Sequence, residues 1–304
     1  MKKKLLAFTL AMAFSASCFA ADSSLSATQK VGAMEKVLYG TEQTGSLVSR
    51  MDSLEDDLYG SVVSDTILNR IDSMYGYIDG SANNGEASFA TRLNIVDWKL
   101  SDKVSDDPAK SRIEAVEKAV NGSVQSGSLS SRLSELERMA GYTNGSIPVQ
   151  ETTLPKDSVM KIVFTNEMST KTNRKGDVVP FVSADNLYVN DVLVIPKGAH
   201  GIATVSKVVQ PGIFGKDGRL DLNFSHVTAV DGTQIPVYVG ELAKQKAASI
   251  AGAAGVAIGS MIVLGPVGLV GGAFVKGASV TIPAGSATYV QCAADTAIQG
   301  VVDQ

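Results

Sequence analysis

Apolar and polar residues in the first half of the chain follow a pattern that repeats every twenty residues. Basic side chains recur at Lys30, Arg50, Arg70, Arg92, Arg112 and Arg132, with a slip of two residues between Arg70 and Arg92. Apolar residues follow at offsets of one, four and eight. They are Met51, Leu54 and Leu58; Ile71, Met74 and Ile78; Leu93, Val96 and Leu100; Ile113, Val116 and Val120; and Leu133 with Leu136. Leu47, Phe89, Ala109 and Leu129 carry the stripe one turn backward. Such offsets fall on one face of an α-helix. Gly40, Gly60, Gly80, Gly122 and Gly141 stand where helix C-caps are expected, and Ser or Thr precedes several starts. The pattern therefore predicts about six units over residues 21–145, each a helix of three to four turns closed by a short break.

One narrow stripe cannot form a core by itself, so each unit must bury it against a neighbour or another chain. Two arrangements satisfy this: a jointed coiled-coil stalk that self-associates along the stripe, or a string of helical hairpins. The three-and-four spacing favours the stalk, although the regular glycines interrupt a continuous coiled coil. The arginines could form an anion-binding ladder. The simpler reading is that each lies over the stripe and pairs with an acid such as Asp52 or Glu137. Glu55, Asp56 and Asp57 sit mid-helix, without the glycine turn of a calcium loop.

From Leu154 onward the period changes to that of strands. Val159–Phe164, Val178–Ser183, Leu187–Ile195, Gly201–Val209, Arg219–Val227, Thr233–Val239, Ser279–Ile282 and Ala287–Cys292 read as strands. A turn of the form Pro-x-Gly follows Ile195 and again Ile282, and Leu154-Pro155-Lys156-Asp157 is a looser third copy. The predicted class is α+β: a helical repeat or jointed coiled-coil arm, then a small β-barrel or sandwich over residues 146–304.

One stretch breaks the strand pattern. No charged residue lies between Lys246 and Lys276, and Gly265-Pro266 divides this run in two. Gly252, Gly255 and Gly259 precede the break; Gly268, Gly271 and Gly272 follow it. Gly255/Gly259 and Gly268/Gly272 are GxxxG pairs, which let helix backbones approach closely in apolar surroundings. The reading is a glycine-rich helical hairpin at 247–276 for membrane contact or self-association. A hairpin packed on the barrel is the soluble alternative.

Lys2-Lys3-Lys4, the apolar run Leu5 to Phe14 and the small residues up to Ala20 have the form of a secretory signal, with cleavage expected after Ala20. Acylation of Cys18 is the competing reading, but Ser15 stands where lipoprotein signals carry leucine. Cleavage would leave Cys292 as the sole thiol. Residues 21–150 hold 19 acids and 12 bases and residues 151–304 hold 12 of each, an acidic arm on a neutral body. That balance argues against a nucleic-acid partner.

The order of elements from Leu154 resembles the C-terminal domain of the TrbI-type family, the outer-membrane-complex subunits of conjugation and type IV secretion channels. Three features carry it. Val194-Ile195-Pro196-Lys197-Gly198-Ala199 precedes Gly201-Ile202-Ala203; the strand Leu220–Val227 leads to Asp231-Gly232-Thr233; and the apolar insert precedes Val280-Thr281-Ile282-Pro283-Ala284-Gly285. The resemblance implies a β-barrel with a two-helix projection, copies of which assemble into an outer-membrane pore. The N-terminal half departs from that family, which has a membrane span and a Pro-rich stretch in place of a cleavable signal and repeats.

Catalytic chemistry is not evident. His200 and His226 have no nucleophile–base–acid set beside them in the sequence, and no Gly-x-Ser-x-Gly elbow or phosphate-cradling loop occurs. The expectation is a non-catalytic envelope protein without cofactor, metal or small-molecule substrate. It would form a homo-oligomer and contact the outer membrane or another envelope protein. The alternatives are a soluble periplasmic binding or adaptor module, or a secretion-channel-like subunit.

Overall fold

The computed structural model describes residues 25–80, 85–142, 147–211, 218–253 and 279–302. The chain is α+β, with six helices followed by a β-rich region built on a closed antiparallel barrel. The helices are α1 (Ala27–Tyr39), α2 (Leu47–Tyr59), α3 (Ile67–Asp79), α4 (Phe89–Ser101), α5 (Ala109–Asn121) and α6 (Leu129–Met139). Each is entered through a residue with extended backbone, Ser or Thr in five cases; those side chains accept an N–H of the first turn, as Ser46 does from Ser49 at 3.1 Å. Pro108 takes that place before α5. Gly40, Gly60, Gly80 and Gly122 end their helices in the left-handed conformation, and Asp102 does so for α4.

The six helices form two triads. In the first, α1, α2 and α3 all touch one another; in the second, α4, α5 and α6 do the same. Within the first triad the helices run in one direction: in their first halves Lys30 of α1 pairs with Asp72 of α3 (2.7 Å) and Arg70 of α3 with Asp52 of α2 (2.5 Å), and near the ends of α2 and α3 the Tyr59 and Tyr77 rings are 5.8 Å apart. Successive helices of a triad are joined by seven residues. Extended, these reach about 23 Å, enough to run back along a 13-residue helix of about 20 Å. The triads are stacked end to end. Gly40 abuts Pro108, Gly60 abuts Ser128 and Gly80 abuts Ser88, so α1 meets α5, α2 meets α6 and α3 meets α4.

In this arrangement the stripe packs within one chain. Met51, Leu54, Leu58, Ile71, Met74, Leu93, Val96, Ile113, Val116, Leu133 and Leu136 are all buried in one core inside one chain, and Leu47 packs on its edge. Neither continuous coils nor hairpins are needed, because the return loops let three like-directed helices face each other. The two-residue slip also has a place. It falls between Arg70 and Arg92, where the chain passes from one triad to the next instead of doubling back.

The β-region comprises β1 (Val149–Leu154), β2 (Val159–Phe164), β3 (Met168–Ser169), β4 (Val178–Ser183), β5 (Leu187–Val189), β6 (Val192–Ile195), β7 (His200–Val209), β8 (Arg219–Thr228), β9 (Gln234–Tyr238), β10 (Thr281–Ile282), β11 (Ala287–Cys292) and β12 (Thr296–Val302). The barrel order is β11-β2-β4-β7-β8-β9, closed by β9 on β11 through Gln291↔Tyr238 and Cys292↔Val237. Closure leaves no free edge among these strands. Its interior includes Ile162, Phe164, Phe181, Val205, Phe224, Val237 and Val290, all buried. A second sheet, β1-β12-β6-β5, lies alongside. The predicted strand Leu187–Ile195 is two strands, because Asn190 and Asp191 both take positive φ (50° and 64°) and turn the chain as a two-residue hairpin. The three Pro-x-Gly-like turns share one geometry. Gly198, Gly285 and Asp157 have φ of 83°, 83° and 64°, and the residue after each donates to the proline carbonyl.

Candidate functional site

Two places hold the residues of interest: the root of the uncharged segment, and the joint between helices and barrel. At the root, β9 ends at Tyr238 and a seventh helix, α7 (Glu241–Ala253), begins just beyond Gly240. Its first turn would leave backbone N–H groups unpartnered. The buried Gln291 of β11 accepts the N–H of Ala243 through Oε1 at 3.0 Å. Gly240 must pass so close to this amide that a Cβ would lie 2.2 Å from Oε1. Gln291 Nε2 donates to Asp157 Oδ1 (3.2 Å), which also accepts from the Tyr238 hydroxyl (2.5 Å). The Asp157 carboxylate pushes the Tyr238 phenol above its ordinary pKa. The chain re-enters at β10, which pairs with β3. Gly252 lies in the last turn of α7. Gly255, Gly259, Gly265, Pro266, Gly268 and Gly272 lie outside the described residues. Cys292, next to this network, is buried, and burial followed by Asp157 pushes its thiol up to about 11.

At the joint, α4 and the loop after it lie against the β-region. Asn94 Nδ2 donates to the Val230 carbonyl (2.9 Å) and Trp98 Nε1 to Asn186 Oδ1 (2.9 Å). Ile95 and Trp98 share a small core with Ile147, Leu193, Val230 and Val301. The turn Pro196–His200 is held by residues 102–106. Lys197 pairs with Asp102, and Gly198 lies so close that a Cβ there would be 2.7 Å from Lys103 Cα. His200 Nε2 is 2.7 Å from the Val104 carbonyl oxygen and Nδ1 is 2.8 Å from Asp106 Oδ2. Both are acceptors, so the ring satisfies both only with a proton on each nitrogen. Burial pulls the imidazole pKa down and Arg112 adds to that. The Asp106 carboxylate and the Val104 carbonyl outweigh them and hold it above the usual histidine value.

Five repeat arginines are paired with carboxylates. Arg50 grips Glu35, Arg70 grips Glu55 and Asp52, Arg92 grips Glu137, Arg112 grips Asp97 and Arg132 grips Glu117. Glu35, Glu55, Asp97 and Glu117 sit at the ninth residue of their helices. Each also accepts a backbone N–H eight residues on, from Gln43, Val63, Ser105 and Gln125 at 2.9–3.2 Å. A single buried carboxylate thus fixes both the return loop and the next helix. The ninth residue of α3 is Tyr75, and Lys30 lies over its ring (5.5 Å to the centroid) while pairing with Asp72 at 2.7 Å. That contact closes the first triad from α3 back to α1. Arg92, left without a carboxylate in α3, instead closes the second triad by reaching Glu137 of α6. The ninth-residue carboxylates were visible in the sequence as a periodic position, but only the path of the return loop shows their double role.

Among the described residues, no group of three or more His, Cys, Asp or Glu side chains could hold a metal, and no helix is long and apolar enough to cross a membrane. His226 neighbours Ser225 in the same strand (3.1 Å), and burial lowers its pKa.

No protein-family profile matches the chain, and no curated protein matches it. Among solved structures, the chain aligns with ComB10 of the Com type IV secretion system of Helicobacter pylori. The alignment covers 47% of this chain and 88% of that one, at 15% identity and a TM-score of 0.27.

Proposed function

We propose that this protein is a non-catalytic structural component of a bacterial cell envelope, whose barrel presents an apolar, glycine-rich segment to the outer membrane or to sister copies. The observation that carries the reading is the run from Ala247 to Val275, which has no charged side chain and two GxxxG pairs. A stretch of that composition is costly to leave in water and suited to close helix packing or lipid. The contacts of Gln291 with α7 and of β3 with β10 support the same reading, because they hold both flanks of the segment to the β-region. The basic, apolar and small-residue pattern of residues 2–20 supports export.

The test is removal of residues 247–276 from the exported protein. The intact protein should require detergent to stay dispersed, and the shortened one should be soluble without it while keeping its β-sheet circular dichroism. An intact protein that is a dispersed monomer in plain buffer overturns the reading in favour of a soluble periplasmic binding or adaptor module.

A further inference from the structure

The joint between the two triads shows how one triad end receives another. It buries Leu38, Leu58 and Ile78 from the last turns of α1, α2 and α3 against Phe89, Ala109 and Leu129 at the starts of α4, α5 and α6; all six are at most 2% exposed. The outer ends of the column leave apolar residues at or next to these repeat positions uncovered. At the far end of the first triad, Leu47 and Ile67 are only partly buried, and the next residues, Val48 and Leu68, are 50% and 58% exposed. At the far end of the second triad, Val120 is 40% and Met139 38% exposed. Terminal units of repeat proteins ordinarily carry polar outer faces. Here the trend runs the other way. The second residues of the helices are Ala90, Lys110 and Ser130 at the internal joint and Thr28, Val48 and Leu68 at the free end, which thus carries two large apolar side chains where the joint has none.

We propose that the column is a docking surface for a second copy of this chain, the free end of the second triad seating on the free end of the first triad of the next copy. The contact is heterologous, head to tail, and repeats the internal joint. The internal joint also sets its rotation. The middle helix of the first triad, α2, stacks on the third helix of the second, α6. The middle helix of the second triad, α5, therefore stacks on α3 of the next copy, which sets Val120 against Leu68 of that copy. This surface is separate from the glycine-rich segment and does not depend on it.

The experiment uses full-length mature protein carrying Leu68→Cys or Val120→Cys, which should form a disulfide-linked dimer under mild oxidation only when the two variants are mixed. Cys292 is buried and does not interfere. A bond within one chain is excluded, because two stacked helices separate the ends by about 40 Å. Dimers from either variant alone mean a face-to-face contact and overturn the proposal. Absence of dimers in the mixture also overturns it, meaning that the ends are covered by residues 21–24, by the glycine-rich segment or by water. Val48→Lys, added to the Leu68→Cys variant at the same end of the column, should abolish its cross-link to Val120→Cys, with helical circular dichroism unchanged. Loss of cross-linking with the glycine segment deleted would assign the contact to that segment instead.

Discussion

At the residue scale, the helical half is held by buried carboxylates, each with an assigned cation. Glu55 is 1% exposed and contacts Arg70 and the Val63 N–H. Replacing Arg70 by Ala leaves that charge in the interior without its counter-charge, and such a loss costs about 3–5 kcal/mol. Chemical denaturation should show it as a lower midpoint. In the barrel, Gly201 lies so close to Phe181 that a Cβ would be 2.2 Å from the ring and 2.7 Å from the His226 carbonyl oxygen. Gly201→Ala should lower the melting temperature by several degrees, since the backbone neighbour cannot move aside. His200 gives a pH signature. Its folded-state pKa is raised above 6.5, so the contribution is fully present below about pH 6.5 and disappears as pH rises through the folded value. Amide exchange in residues 102–106 should therefore speed up on the alkaline side beyond the intrinsic increase. His200→Gln should remove that transition; an unchanged profile would show that the ring does not hold the joint.

At the element scale, the caps and the stripe were legible in the sequence, and the spatial arrangement was not. Offsets of one, four and eight gave the six helices and their buried faces, because amphipathic periodicity is a local property. The side-by-side direction was not local. It depends on four seven-residue return loops, largely exposed, which carry no hydrophobic pattern of their own. In the β-half, seven of the predicted strands lie within two residues of observed ones at each end, whereas β1, the two-residue β3 and β12 went unseen. β1 reads Val-Gln-Glu-Thr-Thr-Leu and buries only Leu154, so its place comes from its partner strand. β12 has Gly300 in mid-strand, a residue that weakens a strand signal but is required where a Cβ would strike Val192 at 2.4 Å. The helix caps allow a graded test: Ser46→Ala removes the acceptor for the Ser49 N–H and should cost about 1 kcal/mol.

At the scale of the whole molecule, a helical column is fastened to the β-region by α4 and the His200 turn; on either side of the uncharged segment, α7 is capped by Gln291 of the barrel and β10 pairs with β3. On the proposed reading, that segment faces lipid or neighbouring copies. The measurement that tests this most directly is the polarity around that segment in the assembled protein. Ser260→Cys, carried on residues 21–304 and labelled with an environment-sensitive fluorophore, reports it; Cys292, buried with its thiol pushed up to about 11, stays unlabelled. The account predicts blue-shifted emission protected from an aqueous quencher. Water-like emission, fully quenched on a dispersed single chain, would contradict it.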